Sequence, residues 1–446
     1  MCLLFFISLR QKTITTKKMT IMKTMKNLAV SVLMSIMAAA TFTACSENYL
    51  DCVDNPAAKN PAICTGIQRT VLVYMAGRNN LSYYAGLDLD EMKRGSKLIG
   101  KDQALLVFMR RCHDGEEPWL ARVENGQITN KVTASQMGIC KDELYASDPD
   151  VMEQVMQYAF EHYPSVNNDY GLVLWGHGSG WLMEDEVNTK PQSRGYGVDV
   201  GNYIYNTEGK WINVPTLNDV LSRMPHLKFI FADCCNFMCL ESLYELRKVA
   251  DYVIGSPAEI PATGAPYDTV VPAMFEPTTY YHAITECYHE HTMGSLPLSV
   301  VKSSEMENVA EATREVMKSM SQREHSFPDM KGMIHYNYLG ISDSTHYQAH
   351  NIFYDAGQFI RRYATQEEYQ EWKSALDRAV IEKHFAQSWE TLKSWLLFYS
   401  DFEMTEEMYH GVSMFVPQDH TAPHGEYYAK FNRDIAETQW FNAVDK

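Results

Sequence analysis

Short apolar runs recur along the chain, each followed by a stretch with helical spacing, and this alternation limits the fold more than any other feature. "RTVLVYMAG" (Arg69–Gly77), "QALLVFMR" (Gln103–Arg110), "YGLVLWGHGSG" (Tyr170–Gly180), "LKFIFAD" (Leu227–Asp233) and "YVIGS" (Tyr252–Ser256) read as strands, with "LPLSVVKSS" (Leu296–Ser304) as a sixth. They are apolar throughout rather than alternating, as expected for strands covered on both faces. Between them, "LSYYAGLDLDEMKRGS", "VMEQVMQYAFEHY", "LNDVLSRMPH" and "CLESLYELRKVAD" have helical periodicity. Strand–helix alternation predicts an α/β fold with a parallel sheet and right-handed crossovers. Sites in such sheets form at the C-terminal edge of the strands. "GHGSG" and "DCC" both fall at that edge.

Beyond Glu305 the pattern turns helical. "SEMENVAEATREVMKSMS" and "TQEEYQEWKSALDRAVIEKHF" each open with capping-box spacing, Ser304 with Glu307 and Thr365 with Glu368. "HGVSMFVP" (His410–Pro417) reads as a late strand. No Gly- or Ser-rich linker separates the halves, so the expected division is a leader over 1–45, a tether over 46–67, a core over 68–304 and an integrated C-terminal region over 305–446.

The leader follows from Asn27–Ala44, an uncharged apolar run with Lys23 and Lys26 just before it, the pattern of a secretory signal. The run ends in "FTAC", which resembles a bacterial lipoprotein processing box and makes Cys45 the expected lipidation site. At this length an uncleaved transmembrane anchor is the alternative. Met22 and Met25 are possible true starts. Arg10, Lys12, Lys17, Lys18, Lys23 and Lys26 lie in the leader without any acid, so removing these six cations takes the formal charge from −17 to −23. Such acidity argues against nucleic acid or an anionic membrane surface as a partner. The expected location is the bacterial cell envelope, with the membrane reached only through the lipid. Ten cysteines in 446 residues are too sparse for a disulfide scaffold. Cys52 and Cys64 flank a Pro/Asn/Ala segment and are a possible bridge.

Chemistry concentrates at the two strand ends. A thiol is a useful nucleophile once deprotonated and aimed at a carbonyl carbon, and His177 is placed to move the proton. Gly178 offers a backbone N–H to a developing oxyanion. Other readings of the same residues stay open. His177 can serve loop geometry alone, and free cysteines are among the most buried residues. Cys235 and Cys239, four apart, can share a helix face with His177 as a third zinc ligand, although "CCxxxC" lacks the usual paired spacing. A vicinal Cys234–Cys235 disulfide is also possible. "GHGSG" is not a G-x-S-x-G elbow, which disfavours a serine hydrolase.

"TVLVYMAGRNNL", "LVLWGHGSGW", "FADCCNFMCLE", "GSPAEIPATGAPY" and "HGVSMFVP" together resemble the clostripain-like cysteine peptidases (peptidase family C11), of the caspase-like group. The resemblance implies a caspase-like three-layer αβα sandwich with a mostly parallel sheet and a cysteine endopeptidase acting through a thioester acyl-enzyme. It makes His177 the catalytic histidine and Cys235 the nucleophile, with oxyanion donors at the backbone of Gly178 and Cys235. Cys234 takes the place of a small buried Ala, and Cys239 is a core residue one helical turn on. The resemblance implies a dyad with no necessary third residue, no metal in the chemistry and no required cofactor, although some members use calcium. In the substrate-binding loop, the family's acid corresponds to Thr263 and its tryptophan to Ala265. Asp233 and Glu259 are the nearby acids left to pair with a basic P1 side chain, so a basic preference is only weakly expected. Self-cleavage between the His and Cys blocks, common in the family, would fall within Glu184–Gly197, with Arg194–Gly195 as the candidate bond because Lys190 precedes Pro191. The alternative to a peptidase is an inactive caspase-like binding module, motivated by Thr263, Asn236 and Phe237.

Overall fold

A computed structural model describes residues 63–445, apart from 114–115, 184–194, 202–208, 324–325, 338, 341–348, 394–395, 400–403, 422–424 and 426–427. Cys45, Cys52 and Arg194 therefore lie outside the described residues.

Nine strands form the central sheet: β1 (Arg69–Gly77), β2 (Gln103–Arg111), β3 (Trp119–Glu124), β4 (Gln127–Thr133), β5 (Tyr170–Gly176), β6 (Leu227–Asp233), β7 (Ala250–Gly255), β8 (Leu298–Lys302) and β9 (Val380–His384). Their order is β9-β8-β7-β6-β5-β1-β2-β3-β4. The five inner strands β2, β1, β5, β6 and β7 run parallel. Two antiparallel strands extend each side.

Every residue of β1 is buried. Leu72, Tyr74 and Ala76 enter one core and Val71, Val73 and Met75 the other, the two-residue period of a strand covered on both faces. Helices α1 (Ser82–Gly95), α5 (Tyr267–Met274) and α6 (Tyr280–His291) bury apolar residues in the second core. Helices α2 (Pro149–His162), α3 (Val214–Leu221), α4 (Leu240–Glu245) and α7 (Met306–Arg323) do so in the first. The result is the expected three-layer αβα sandwich with a mostly parallel sheet.

Several expectations are corrected. The strand at Leu298–Lys302 runs antiparallel to β7, because two helices, α5 and α6, intervene where one crossover would return the chain in parallel. The helical reading of Thr365–Phe385 holds only to Ala379. Helix α9 (Gln366–Ala379), which follows α8 (Ala356–Tyr363), has the expected Thr365–Glu368 capping box, and Val380–His384 then becomes the edge strand. Alternating exposure along "VIEKH" and its β-branched start favour a strand there. Ser304 caps nothing, since Ser303–Glu305 is a 3-10 turn without a side-chain cap. Of His410–Pro417, only Ser413–Met414 is strand, paired with Tyr354–Asp355. Strands β3 and β4 were not anticipated. They join through Asn125 and Gly126, both at positive φ (47° and 79°), as a two-residue hairpin turn of the Asn-Gly kind demands.

Candidate functional site

Strands β5 and β6 are neighbours, and their last paired residues are Trp175 and Asp233. His177 and Cys235 each stand two residues beyond that pair, so the sheet register brings the two together at its C-terminal edge. Gly178 faces the second strand end directly. A Cβ there would sit 2.7 Å from the Cys235 carbonyl oxygen and 2.9 Å from the Cys234 Sγ, a spacing that only glycine tolerates without a shift. The amides of Ser179 and Asn236 are committed, to the carbonyls of Gly195 and Ala258. The Gly178 and Cys235 amides precede each of these.

Cys235 is half-buried, and the Ile260 N–H points at its Sγ at 3.4 Å. Burial, then the Glu259 carboxylate, pushes its thiol up to about 12. The resting sulfur is therefore a thiol that needs a base. His177 is half-exposed, and its Nε2 meets the Asn80 Oδ1 at 2.6 Å. With the carbonyl oxygen of Asn80 accepting, Nε2 carries the hydrogen and the basic lone pair of the ring falls on Nδ1.

Cys234 is fully buried in the first core, beside Gly178. Cys239 is also buried, but it is not a residue of a helix. Helix α4 begins at Leu240, and Cys239 precedes it in extended conformation (φ −109°, ψ 145°). Its Sγ donates to the Ser242 Oγ at 3.1 Å. Cys235 and Cys239 thus share no helix face, which removes the geometric basis of the zinc reading. Among the described residues no group of three or more His, Cys, Asp or Glu side chains can hold a metal ion, and Cys234, Cys235 and Cys239 are all free thiols.

Asn236 and Phe237, the residues that motivated the binding-module alternative, have structural reasons. Asn236 sits at φ 55°, where Asn is the tolerated non-glycine residue. Its side chain donates to the Pro257 carbonyl at 3.0 Å, and Phe237 is fully buried in the core.

Asp233 lies beneath the loop segment that holds Gly264 and Ala265. It accepts from the Ala265 N–H at 3.2 Å, the Tyr267 hydroxyl at 2.7 Å and the Tyr288 hydroxyl at 3.1 Å. Burial holds its carboxyl above the ordinary value despite these donors. A second acid, Asp88 of α1, approaches the same place. A Cβ on Gly264 would lie 3.0 Å from the Asp233 Oδ2 and 3.2 Å from the Asp88 Oδ2. Asp88 accepts from the Trp175 Nε1 at 2.7 Å, and burial followed by the Asp233 charge pushes it up to about 8. Thr263 itself is exposed and Glu259 half-buried. Asn80 and Asp88 were both missed in the sequence. Asn80 lies within the quoted "MAGRNNL" block, but nothing local marks it as a partner of a histidine 97 positions on. Asp88 reads as one more polar residue of an amphipathic helix.

No curated protein matches the chain. Among solved structures, one similar chain is a secreted C11 cysteine protease from Bacteroides thetaiotaomicron in complex with an irreversible peptide inhibitor, 29% identical with a TM-score of 0.67, the match covering 85% of this chain and 99% of that one. Another is an inactive zymogen C11 protease from Parabacteroides distasonis, 26% identical with a TM-score of 0.68, covering 86% and 99%. The model of the clostripain family, Peptidase_C11, matches residues 73–446. The match spans the whole sheet beyond the start of β1 and both strand ends that carry His177 and Cys235, and the chain belongs to the clostripain family of cysteine peptidases.

Proposed function

We propose that this cysteine endopeptidase works through a Cys235–His177 dyad. His177 Nδ1 takes the proton from the Cys235 Sγ as the sulfur bonds to the scissile carbonyl carbon. The negative charge moves to the carbonyl oxygen, towards the N–H groups of Gly178 and Cys235. Collapse of the tetrahedral intermediate breaks the C–N bond, and His177 passes its proton to the leaving amine. A thioester remains. Water then gives a proton to His177 and its oxygen to the acyl carbon, the C–S bond breaks, the sulfur takes the proton back from His177, and the product acid leaves as a carboxylate with its proton released to solvent. The observation that carries this reading is the register of β5 and β6, which sets the two residues at adjacent strand ends with Gly178 packed against the Cys235 carbonyl.

The finer points belong to the same reading. Asp233 and Glu259, beside Thr263, are the acids for a basic P1 side chain, with that preference weak because Thr263 offers only a hydroxyl. Self-cleavage at Arg194–Gly195 is supported by Gly195, whose carbonyl accepts from both the N–H (2.9 Å) and the Oγ (3.1 Å) of Ser179, two residues from His177. The Parabacteroides relative is described as a zymogen, in keeping with such processing. The Bacteroides relative is described as secreted. Among the described residues no helix is long and apolar enough to cross a membrane, and attachment through a lipid on Cys45 is the reading for the N-terminus. The sequence division into leader, tether, core and integrated C-terminal region is kept with it.

The test is a panel of acyloxymethyl-ketone peptides of varied P1 residue. We expect labelling of Cys235 in the native chain and its loss in Cys235→Ala and His177→Ala, with peptide hydrolysis lowered by at least about 10³-fold. Equal labelling of the His177→Ala protein would overturn the dyad. Retention of the Cys45→Ser protein on membranes would overturn the anchor.

A further inference from the structure

We infer that Asn80 is a positioning residue for His177, holding the imidazole in the tautomer and orientation that present Nδ1 to the Cys235 thiol. This rests on the dyad proposed above and adds a third group to it.

The first observation is the contact itself. At 2.6 Å, the Asn80 Oδ1 and the His177 Nε2 are closer than the usual separation for a nitrogen donor and an oxygen acceptor. A side-chain carbonyl can only accept, so it fixes the hydrogen on Nε2 and leaves the lone pair on the other nitrogen.

The second observation is how Asn80 is presented. Its neighbour Asn79 is tied down on three sides. The Asn79 Nδ2 donates to the Ala76 carbonyl at 3.0 Å and to the Val198 carbonyl at 2.7 Å, and its Oδ1 accepts from the Leu81 N–H at 2.8 Å. The first contact anchors the turn to the end of β1, the second to the Tyr196–Asp199 segment, and the third to the residue that precedes α1. The Ser82 N–H closes the turn onto the Asn79 carbonyl at 3.1 Å. The main chain of Asn80 is thus fixed between two rigid elements while its side chain reaches the histidine. A group supported in this way orients its partner with little loss of side-chain entropy at the moment of reaction.

The third observation is why such help matters at this site. The Cys235 thiol is held high by burial and by Glu259, so proton removal by His177 belongs to the chemical step rather than to the resting state. A ring free to turn about its χ angles would present the wrong nitrogen, or none, for part of the time.

The expected signature is a loss in turnover, not in binding. In Asn80→Ala, kcat should fall by about tenfold to a hundredfold while KM stays within about threefold. Asn80→Asp, which keeps an accepting oxygen at the same reach, should recover most of that loss. Imidazole ¹⁵N shifts should show the Nε2-protonated tautomer in the native protein and a mixture in Asn80→Ala. Unchanged kcat in Asn80→Ala, a rise in KM alone, or an Asn80→Asp protein that is folded but as slow as Asn80→Ala would each overturn the inference. Its failure is separable from failure of the dyad. If His177→Ala abolishes Cys235 labelling and Asn80→Ala leaves its rate intact, only Asn80 loses its role. If His177→Ala labels normally, the dyad falls and the positioning role falls with it.

Discussion

Glu382 on the edge strand β9 and Asp88 beneath the strand ends are both carboxylates drawn into the fold, yet only the first is surrounded by groups that favour its charge. The Glu382 Oε1 meets the His282 Nδ1 at 2.9 Å, the His384 Nε2 at 2.9 Å and the Thr285 hydroxyl at 2.8 Å. Burial opposes its ionisation, but the hydrogen bonds from His384, His282 and Thr285 win and hold it at about 2. Asp88 has one neutral donor, Trp175, and a second acid facing it, and it is pushed up to about 8. Among the described residues neither Asp88 nor Asp233 has a cationic partner. The edge cluster therefore joins α6 to the sheet with electrostatics that favour folding, and the pair under Gly264 opposes it. Carboxylates kept in such circumstances are common at sites that act on something outside the fold. Their place beneath the loop that touches Cys235 suits that role.

The largest effect should come from breaking the favourable cluster. Glu382→Gln is expected to cost about 2–3 kcal/mol of stability near pH 5.5, read from the urea midpoint. The sign follows from the two shifts. Glu382 is depressed from 4.5, so its contribution is complete above about 4.5 and fades as the pH falls towards 2. His282 is raised from 6.5 by Glu382, so its contribution is complete below 6.5 and fades as the pH rises through its folded value. The pair is whole only between these limits. A Glu382→Gln penalty that is the same at pH 3 as at pH 5.5 would show that packing, not charge, holds this edge.

Asp88→Asn should act in the opposite direction and less strongly. The folded carboxyl is raised from 3.8 to about 8, so its contribution to stability is present below 3.8 and is lost as the pH rises towards 8. The amide keeps an acceptor for Trp175 and brings no charge to face Asp233. We expect a gain on the order of 1–2 kcal/mol at pH 8, little change at pH 4, and a flatter profile between. A variant that is destabilised at both pH values would erase the contrast with Glu382.

Much of this architecture can be read before any coordinates, and the boundary has physical causes. Strands buried on both faces are visible as continuous apolar runs, so β1, β2 and β6 are legible to within a residue at each end, and β5 at its start, although its run reads on to Gly180 where the strand ends at Gly176. Their ends locate His177 and Cys235, because a parallel sheet gathers such ends. The edge strand β9 is masked in the sequence, since "ALDRAVIEKHF" continues the helical pattern, and the β-branched Val380–Ile381 pair is a weak local sign that only pairing with β8 makes decisive. The β3–β4 hairpin has a legible signal of its own, Asn125–Gly126 between two β-rich runs. The helical pattern that begins at Cys239 overstates α4 by one residue, because Cys239 is its extended N-cap and the helix starts at Leu240. Asn80 and Asp88 were out of reach for a different reason. Each gains its meaning from one residue far along the chain, His177 or Asp233, and an exposed Asn or a helical Asp has no period of its own.

The smallest effect concerns which histidine carries the Glu382 contact. His282 has 57% of its side chain exposed and His384 only 14%. A pair reached from solvent is screened and seldom contributes more than a few tenths of a kcal/mol, so His282→Ala should cost about 0.5 kcal/mol or less, and less again in 0.5 M salt. His384→Ala should cost more at low salt and keep most of its effect at high salt, because its ring is also packed against His289 with centroids 4.8 Å apart. Replacement of both should exceed the sum of the two only if they act on the same Glu382 oxygen, as the structure places them. Simple additivity in that double-mutant cycle would mean the two contacts are independent. The contrast between the edge cluster and the Asp88 pair would then rest on His384 alone.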